Sequence, residues 1–108
     1  MTSYDLYGMS SNDLRRCANR LASILSIVWN LHESSYHGGD YYRFGMPGEE
    51  EFILQRNYSE SDNDWAEPEF KEHETLLYVN YTERSSRIKE LIAIGLPGEA
   101  TLLRHEEL

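Results

Sequence analysis

Thr75-Leu76-Leu77-Tyr78-Val79 is the most apolar strand-like run in the chain, and together with the helix and strand signals downstream of it this run decides the fold. An unbroken apolar run of this length reads as a central strand. Thr82 or Ser85 offers a cap for a helix whose Ile88, Leu91 and Ile92 recur on one side. Gly95 supplies a stop, with Pro97 just beyond, and Thr101-Leu102-Leu103-Arg104 reads as a closing strand. A strand–helix–strand run of this length is a crossover unit. Its two strands are expected to lie parallel, joined by a right-handed connection.

Upstream, Ser10-Ser11-Asn12-Asp13 offers hydroxyl or amide caps with an acid in the first turn, a helix-start signature. Leu14, Cys17, Leu21, Ile24, Leu25, Val28 and Leu31 then recur at three- and four-residue spacing. That spacing predicts one helix of about five turns, ending near Glu33 to Ser35, before Gly38-Gly39. Met1 to Met9 reads as a loose lead-in. Asp40-Tyr41-Tyr42-Arg43-Phe44 and Glu51-Phe52-Ile53-Leu54-Gln55-Arg56 read as two strands of a hairpin around the turn residues Gly45-Met46-Pro47-Gly48. Phe52 and Leu54 share one face. Asn57 to Glu74 reads as a long polar loop, a length that usually marks function or disorder. The expected fold is α+β in the order α-β-β-β-α-β, a four-stranded mixed sheet covered by two helices, in one domain over residues 1–108.

Charge is localised. The chain of 108 residues has ten Lys+Arg against nineteen Asp+Glu, a formal charge of −9. Residues 1–48 are neutral, residues 49–74 hold ten acids and two bases, and residues 75–108 are net −1. The acid excess argues against a nucleic-acid partner, which requires a basic face for the phosphates. Two Trp, eight Tyr and three Phe are too many rings for a disordered acidic tail. The single cysteine, Cys17, excludes a disulfide framework and a cysteine-based zinc site, and it lies on the apolar stripe as a small hydrophobe. The apolar runs are too short for a membrane-spanning helix, and the first residues lack the layout of a signal peptide. A cytoplasmic protein with no membrane partner and no cofactor is expected.

Several motifs fail on spacing. His32-Glu33-Ser34-Ser35-Tyr36 begins like a zinc-protease helix but has Tyr36 where the second histidine belongs. Asp62-Asn63-Asp64 begins like a calcium loop, but Glu67 stands at the glycine position and His73 at the bidentate glutamate position. Gly38-Gly39 precedes a strand rather than a helix and lacks the phosphate-loop lysine. The four histidines, His32, His37, His73 and His105, are general acid–base candidates without a spaced nucleophile. Two features remain. The turn region Glu33–Arg43 reads chiefly as a well hydrogen-bonded junction. The segment Glu49–Glu74 sets Phe52, Tyr58, Trp65 and Phe70 among its acids. Such rings either anchor a protein partner while charges steer it, or pin a long loop to the core.

The runs Glu33-Ser34-Ser35-Tyr36-His37-Gly38-Gly39-Asp40-Tyr41-Tyr42-Arg43, Phe52-Ile53-Leu54-Gln55-Arg56-Asn57, Leu76-Leu77-Tyr78-Val79 and Leu102-Leu103-Arg104 together resemble small single-domain immunity proteins encoded beside bacterial polymorphic toxins, including those of contact-dependent growth inhibition systems. The resemblance implies a cytoplasmic, non-enzymatic inhibitor that binds the toxin domain of its own system. It carries over no individual residues. The charge pattern fits a nuclease toxin, whose active site is basic because its substrate is anionic. The residues expected to meet the partner are Tyr58, Glu60, Asp62, Asp64, Trp65, Glu67 and Glu69. Two alternatives stand beside this: a small hydrolase using His37 or His32, and an acidic adaptor for an endogenous basic protein.

Overall fold

Ser3–Met9, expected from sequence to be a lead-in, is an inner strand of the sheet. The computed structural model describes residues 2–34, 39–60 and 63–108. In this strand (β1), Leu6, Tyr7 and Met9 are buried, as is Asp5. The mixture of tyrosines, an aspartate and a glycine hides the two-residue alternation that identifies a half-buried strand. The apolar side chains divide between two covered faces, so neither face looks continuous in the sequence.

Helix α1 covers Leu14–Leu25 and β2 covers Asn30–Ser34. The expected long helix therefore stops two turns early. Its start lies where the cap signature places it, but the cap is Asp13 rather than a hydroxyl or amide: the carboxylate expected in the first turn stands just before it and accepts from the Arg16 N–H at 3.0 Å. Ser26 turns left-handed at its end (φ 56°), and the Ile27 N–H closes back on the Ala22 carbonyl at 3.1 Å. The next residues, Ile27, Val28 and Trp29, are β-branched or aromatic and resist continuing a helix. Val28 and Leu31 leave the stripe and stand 82% and 58% exposed. Trp29 folds back, its indole N–H donating to the Ala18 carbonyl at 2.8 Å. His32 consequently sits on a strand, not at a helix end.

Strands β3 (Gly39–Phe44) and β4 (Glu51–Arg56) form the expected antiparallel hairpin, with Phe44 opposite Phe52. Its turn requires glycine at position 45. The φ there is +92°, and a Cβ would lie 2.2 Å from the Glu50 carbonyl oxygen. Two short strands come next, β5 (Tyr58–Ser59) and β6 (Asp64–Trp65), then a 3-10 turn at Pro68–Phe70. The run expected to be a loop is thus a small folded unit. Strand β7 (Thr75–Thr82), helix α2 (Ser85–Gly95) and strand β8 (Ala100–Glu107) complete the chain. No side-chain cap opens α2: Thr82 Oγ1 accepts from the Arg84 N–H, and the Ser85 hydroxyl goes to Asp5.

The main sheet has six strands, ordered β2-β3-β4-β7-β1-β8, rather than four. Every neighbouring pair is antiparallel, so the sheet is not mixed. Strands β7 and β8 do run in the same direction, because each is antiparallel to β1. But β1 lies between them and takes both ladders. Both helices pack on one face, α1 against α2 and β4, α2 against β1 and β8. The core between the layers joins Leu14, Cys17, Leu21 and Leu25 of α1 with Ile88 and Ile92 of α2 and with Tyr7, Phe52, Leu54, Leu77 and Val79 of the sheet. Leu6 and Leu76 are equally buried but lie outside that cluster. They share the opposite sheet face with Tyr78, on which the 57–74 segment rests. Among the described residues, no helix is long and apolar enough to cross a membrane.

Candidate functional site

One buried amide organises the acidic segment. Asn57, 1% exposed, comes directly after β4. Its side-chain NH2 lies within hydrogen-bonding distance of the carbonyls of Glu67, Phe70 and His73, at 3.0–3.3 Å. Its Oδ1 accepts from the Glu67 N–H at 2.8 Å. Its own backbone N–H donates to the Glu74 carbonyl, and its carbonyl accepts from the Ala66 N–H. A polar loop cannot bury backbone groups without partners, and one asparagine supplies them here.

On this frame Tyr58 and Trp65 stand opposite each other in register, with ring centroids 5.0 Å apart and planes at 60°. That edge-on geometry is the favoured one for aromatic pairs. The Tyr58 hydroxyl bonds to Asn63 Oδ1. Lys71 Nζ lies 5.7 Å from the Trp65 ring centroid, within range of a cation–π contact. Both rings are half-buried. They line an open cleft of about 820 Å³ together with Asn12, Gly39, Arg56, Glu60 and Glu74. The Thr75 hydroxyl, donating to the Ser11 carbonyl at 2.6 Å, ties the loop that carries Asn12 to the start of β7.

The residues singled out from the sequence fare differently. Tyr58, Glu60 and Trp65 share the cleft. Asp64 is exposed, with Oδ1 accepting from the Trp65 N–H at 2.8 Å. Glu69 is exposed in the 3-10 turn. Asp62 lies outside the described residues, as do His37 and Gly38. Glu67 is engaged internally. Its carboxylate accepts from the Tyr78 hydroxyl at 2.7 Å and from Arg104 at 3.1 and 3.4 Å, across the sheet face. Burial pushes this carboxyl up, but the bonds from Arg104 and Tyr78 outweigh that and hold it below the ordinary range. Burial and then Glu67 raise the Tyr78 phenol. Glu67 thus fastens the segment to β7 and β8.

Arg56, Glu74 and Asn12 are not marked by any sequence motif, yet they line the cleft. Arg56 and Glu74 are brought together because Arg56 ends β4 opposite Thr75. The one signal in the sequence is that Arg56 is one of only two bases in the acidic quarter. Asn12 arrives through the fold alone.

A second polar cluster lies on the helix side. Asp5, its side chain fully buried, accepts from the Ser85 hydroxyl and bonds to His105 Nδ1. His105 Nε2 reaches Glu107 at 3.1 Å. The Ser85 hydroxyl is 3.5 Å from His105 Nδ1, the same nitrogen that meets Asp5. A serine–histidine–aspartate relay needs serine and aspartate on opposite ring nitrogens. This is instead a buried carboxylate clamped from two elements. The bond to Asp5, and after it that to Glu107, raises the His105 pKa. His32 stacks on Tyr41 at 5.2 Å, and His73 packs against Gly8. Among the described residues no group of three His, Cys, Asp or Glu side chains is placed to hold a metal ion.

No protein-family model matches the chain, and no curated protein matches it.

Proposed function

We propose that this protein is an immunity protein: it binds a cognate bacterial toxin domain in the cytoplasm and neutralises it by covering a basic active site, that of a nuclease. The observation that carries this reading is the construction of the 57–74 segment. A chain region with a large excess of acids is folded on a buried asparagine, and it presents a ring pair and exposed carboxylates around one cleft. Glu60, Asp64 and Glu69 are free to steer a basic surface, and Tyr58 with Trp65 supplies the apolar anchor. Steering of this kind raises association rates by ~10–10³. Glu67, engaged with Arg104, positions the surface rather than meeting the partner. The resemblance in strand and turn patterns to toxin-immunity proteins points the same way. The hydrolase alternative gains no base–nucleophile pair from the Asp5 cluster.

Purification of this protein with the product of the adjacent gene tests the reading. A stable complex with a toxin domain, and protection of cells that express both, is the expected result. Capture of an endogenous basic protein instead would favour an adaptor. Charge reversal at Glu60, Asp64 and Glu69 should slow association about tenfold or more at low salt, with the difference shrinking as salt rises. Trp65→Ala should mainly speed dissociation. A loss of melting temperature with unchanged dissociation would assign Trp65 to loop pinning.

A further inference from the structure

We infer that the cleft between the Tyr58–Trp65 pair and Glu60 and Glu74 is the receptor for a single arginine side chain projecting from a partner's loop. The inference names the partner group that the proposed neutralising surface takes in, and rests on that reading for its biological meaning. The cleft is open and about 820 Å³ in volume, room for an arginine side chain together with part of the loop that carries it.

The lining selects the group. Two carboxylates in a chain of net charge −9 favour a cation. Two half-buried rings favour a flat one, because a guanidinium stacks on aromatic faces while its edge forks to a carboxylate. The indole already holds one cation: Lys71 sits over Trp65 but is not part of the cleft lining. The rings are fixed, since Tyr58 and Trp65 are paired in a ladder and their strands hang from Asn57. A fixed aromatic pair spares the ordering cost that a mobile loop adds to binding.

Arg56 gives the cleft its second specificity. It is exposed and, among the described residues, makes no ion pair. A free cation would be repelled by it, whereas a peptide brings carbonyls. Arg56 would donate to the backbone carbonyls of the entering loop while the loop's arginine turns to Glu60 and Glu74. The cleft is thus built for an arginine on a chain rather than for a small cation.

The test uses the whole protein and three capped tripeptides with glycine on either side of arginine, citrulline or aspartate. The readout is the indole N–H resonance of Trp65, with Trp29 as internal control because its N–H is bonded to the Ala18 carbonyl. The arginine peptide should shift the Trp65 resonance saturably and leave Trp29 still. Citrulline, neutral and of the same shape, should bind at least about tenfold more weakly. Glu60→Gln with Glu74→Gln should weaken arginine binding by about the same factor, while Glu83→Gln, at an exposed acid outside the cleft, should not. A preserved amide spectrum shows that the double variant is folded. If its spectrum collapses, Glu60→Gln alone serves. No shift at Trp65, equal binding of citrulline, or preferential binding of the aspartate peptide overturns the inference. Toxin binding without a peptide response would overturn this inference alone, and a peptide response without any toxin partner would sink the proposed function alone.

Discussion

Asn57 answers for four backbone groups at once, so its removal is costly at the scale of one residue. Asn57→Ala removes the acceptor of the Glu67 N–H and the amide donor beside the His73 carbonyl, while the Glu67 and Phe70 carbonyls keep the N–H groups of Phe70 and His73. A loss of about 2–4 kcal/mol in urea unfolding is expected. Glu67→Gln is milder, about 1 kcal/mol, because its partner Arg104 is 39% exposed and screened. His105 makes stability depend on pH. A histidine whose pKa rises on folding contributes fully below its ordinary value of 6.5, and that contribution disappears as pH climbs through the raised folded value. The native protein should therefore lose stability as pH rises above 6.5, beyond any background slope, and His105→Gln should remove that loss. Unfolding curves across that window check the sign. None of these roles is legible in the sequence. Asn57 looks like one more loop asparagine, and Glu67 like one more acid, because their partners lie 10 to 37 residues away.

Elements are fixed by close approaches that only particular residues allow. Gly8 in β1 faces the His73 ring and the Leu103 side chain, and a Cβ there would sit 2.6 and 2.7 Å from them. Gly8→Ala should therefore cost about 1–3 kcal/mol and loosen the 57–74 segment, seen as faster amide exchange at Asn57 and Ala66. Gly95, the last residue of α2, does the same for the helix layer, with a Cβ position 2.4 Å from Ile24 of α1. The hairpin, the crossover helix and the strand after it were legible because their periodicity is local. The end of α1 was not. Its apolar stripe continues in register through Val28 and Leu31, but the stripe's last members are exposed and a β-branched and aromatic run takes the chain into β2.

At the scale of the molecule, β1 is the strand that makes one sheet of two parts. It is the partner of β7 on one side and of β8 on the other, and among the described strands β8 pairs with β1 alone. A chain beginning at Ser10 should lose cooperative thermal unfolding, not merely stability, as monitored by near-ultraviolet circular dichroism. The two sheet edges also differ. Strand β8 ends in Arg104-His105-Glu106-Glu107, a charged edge of the kind that discourages strand addition, while β2 carries exposed Leu31. The sequence by itself determined an α+β class, two helices, the β3–β4 hairpin and a concentration of negative charge in one quarter of the chain, because spacing, turn chemistry and charge are all local properties. Only the tertiary structure decided that β1 enters between β7 and β8. Strand insertion depends on which ladder is vacant, and no local pattern records that. It also decided which acids are free and which are engaged. Exposure is a property of the surrounding fold, and so Glu67 turned inward to Arg104 while Glu60 and Glu74 were gathered, with two rings, around one cleft.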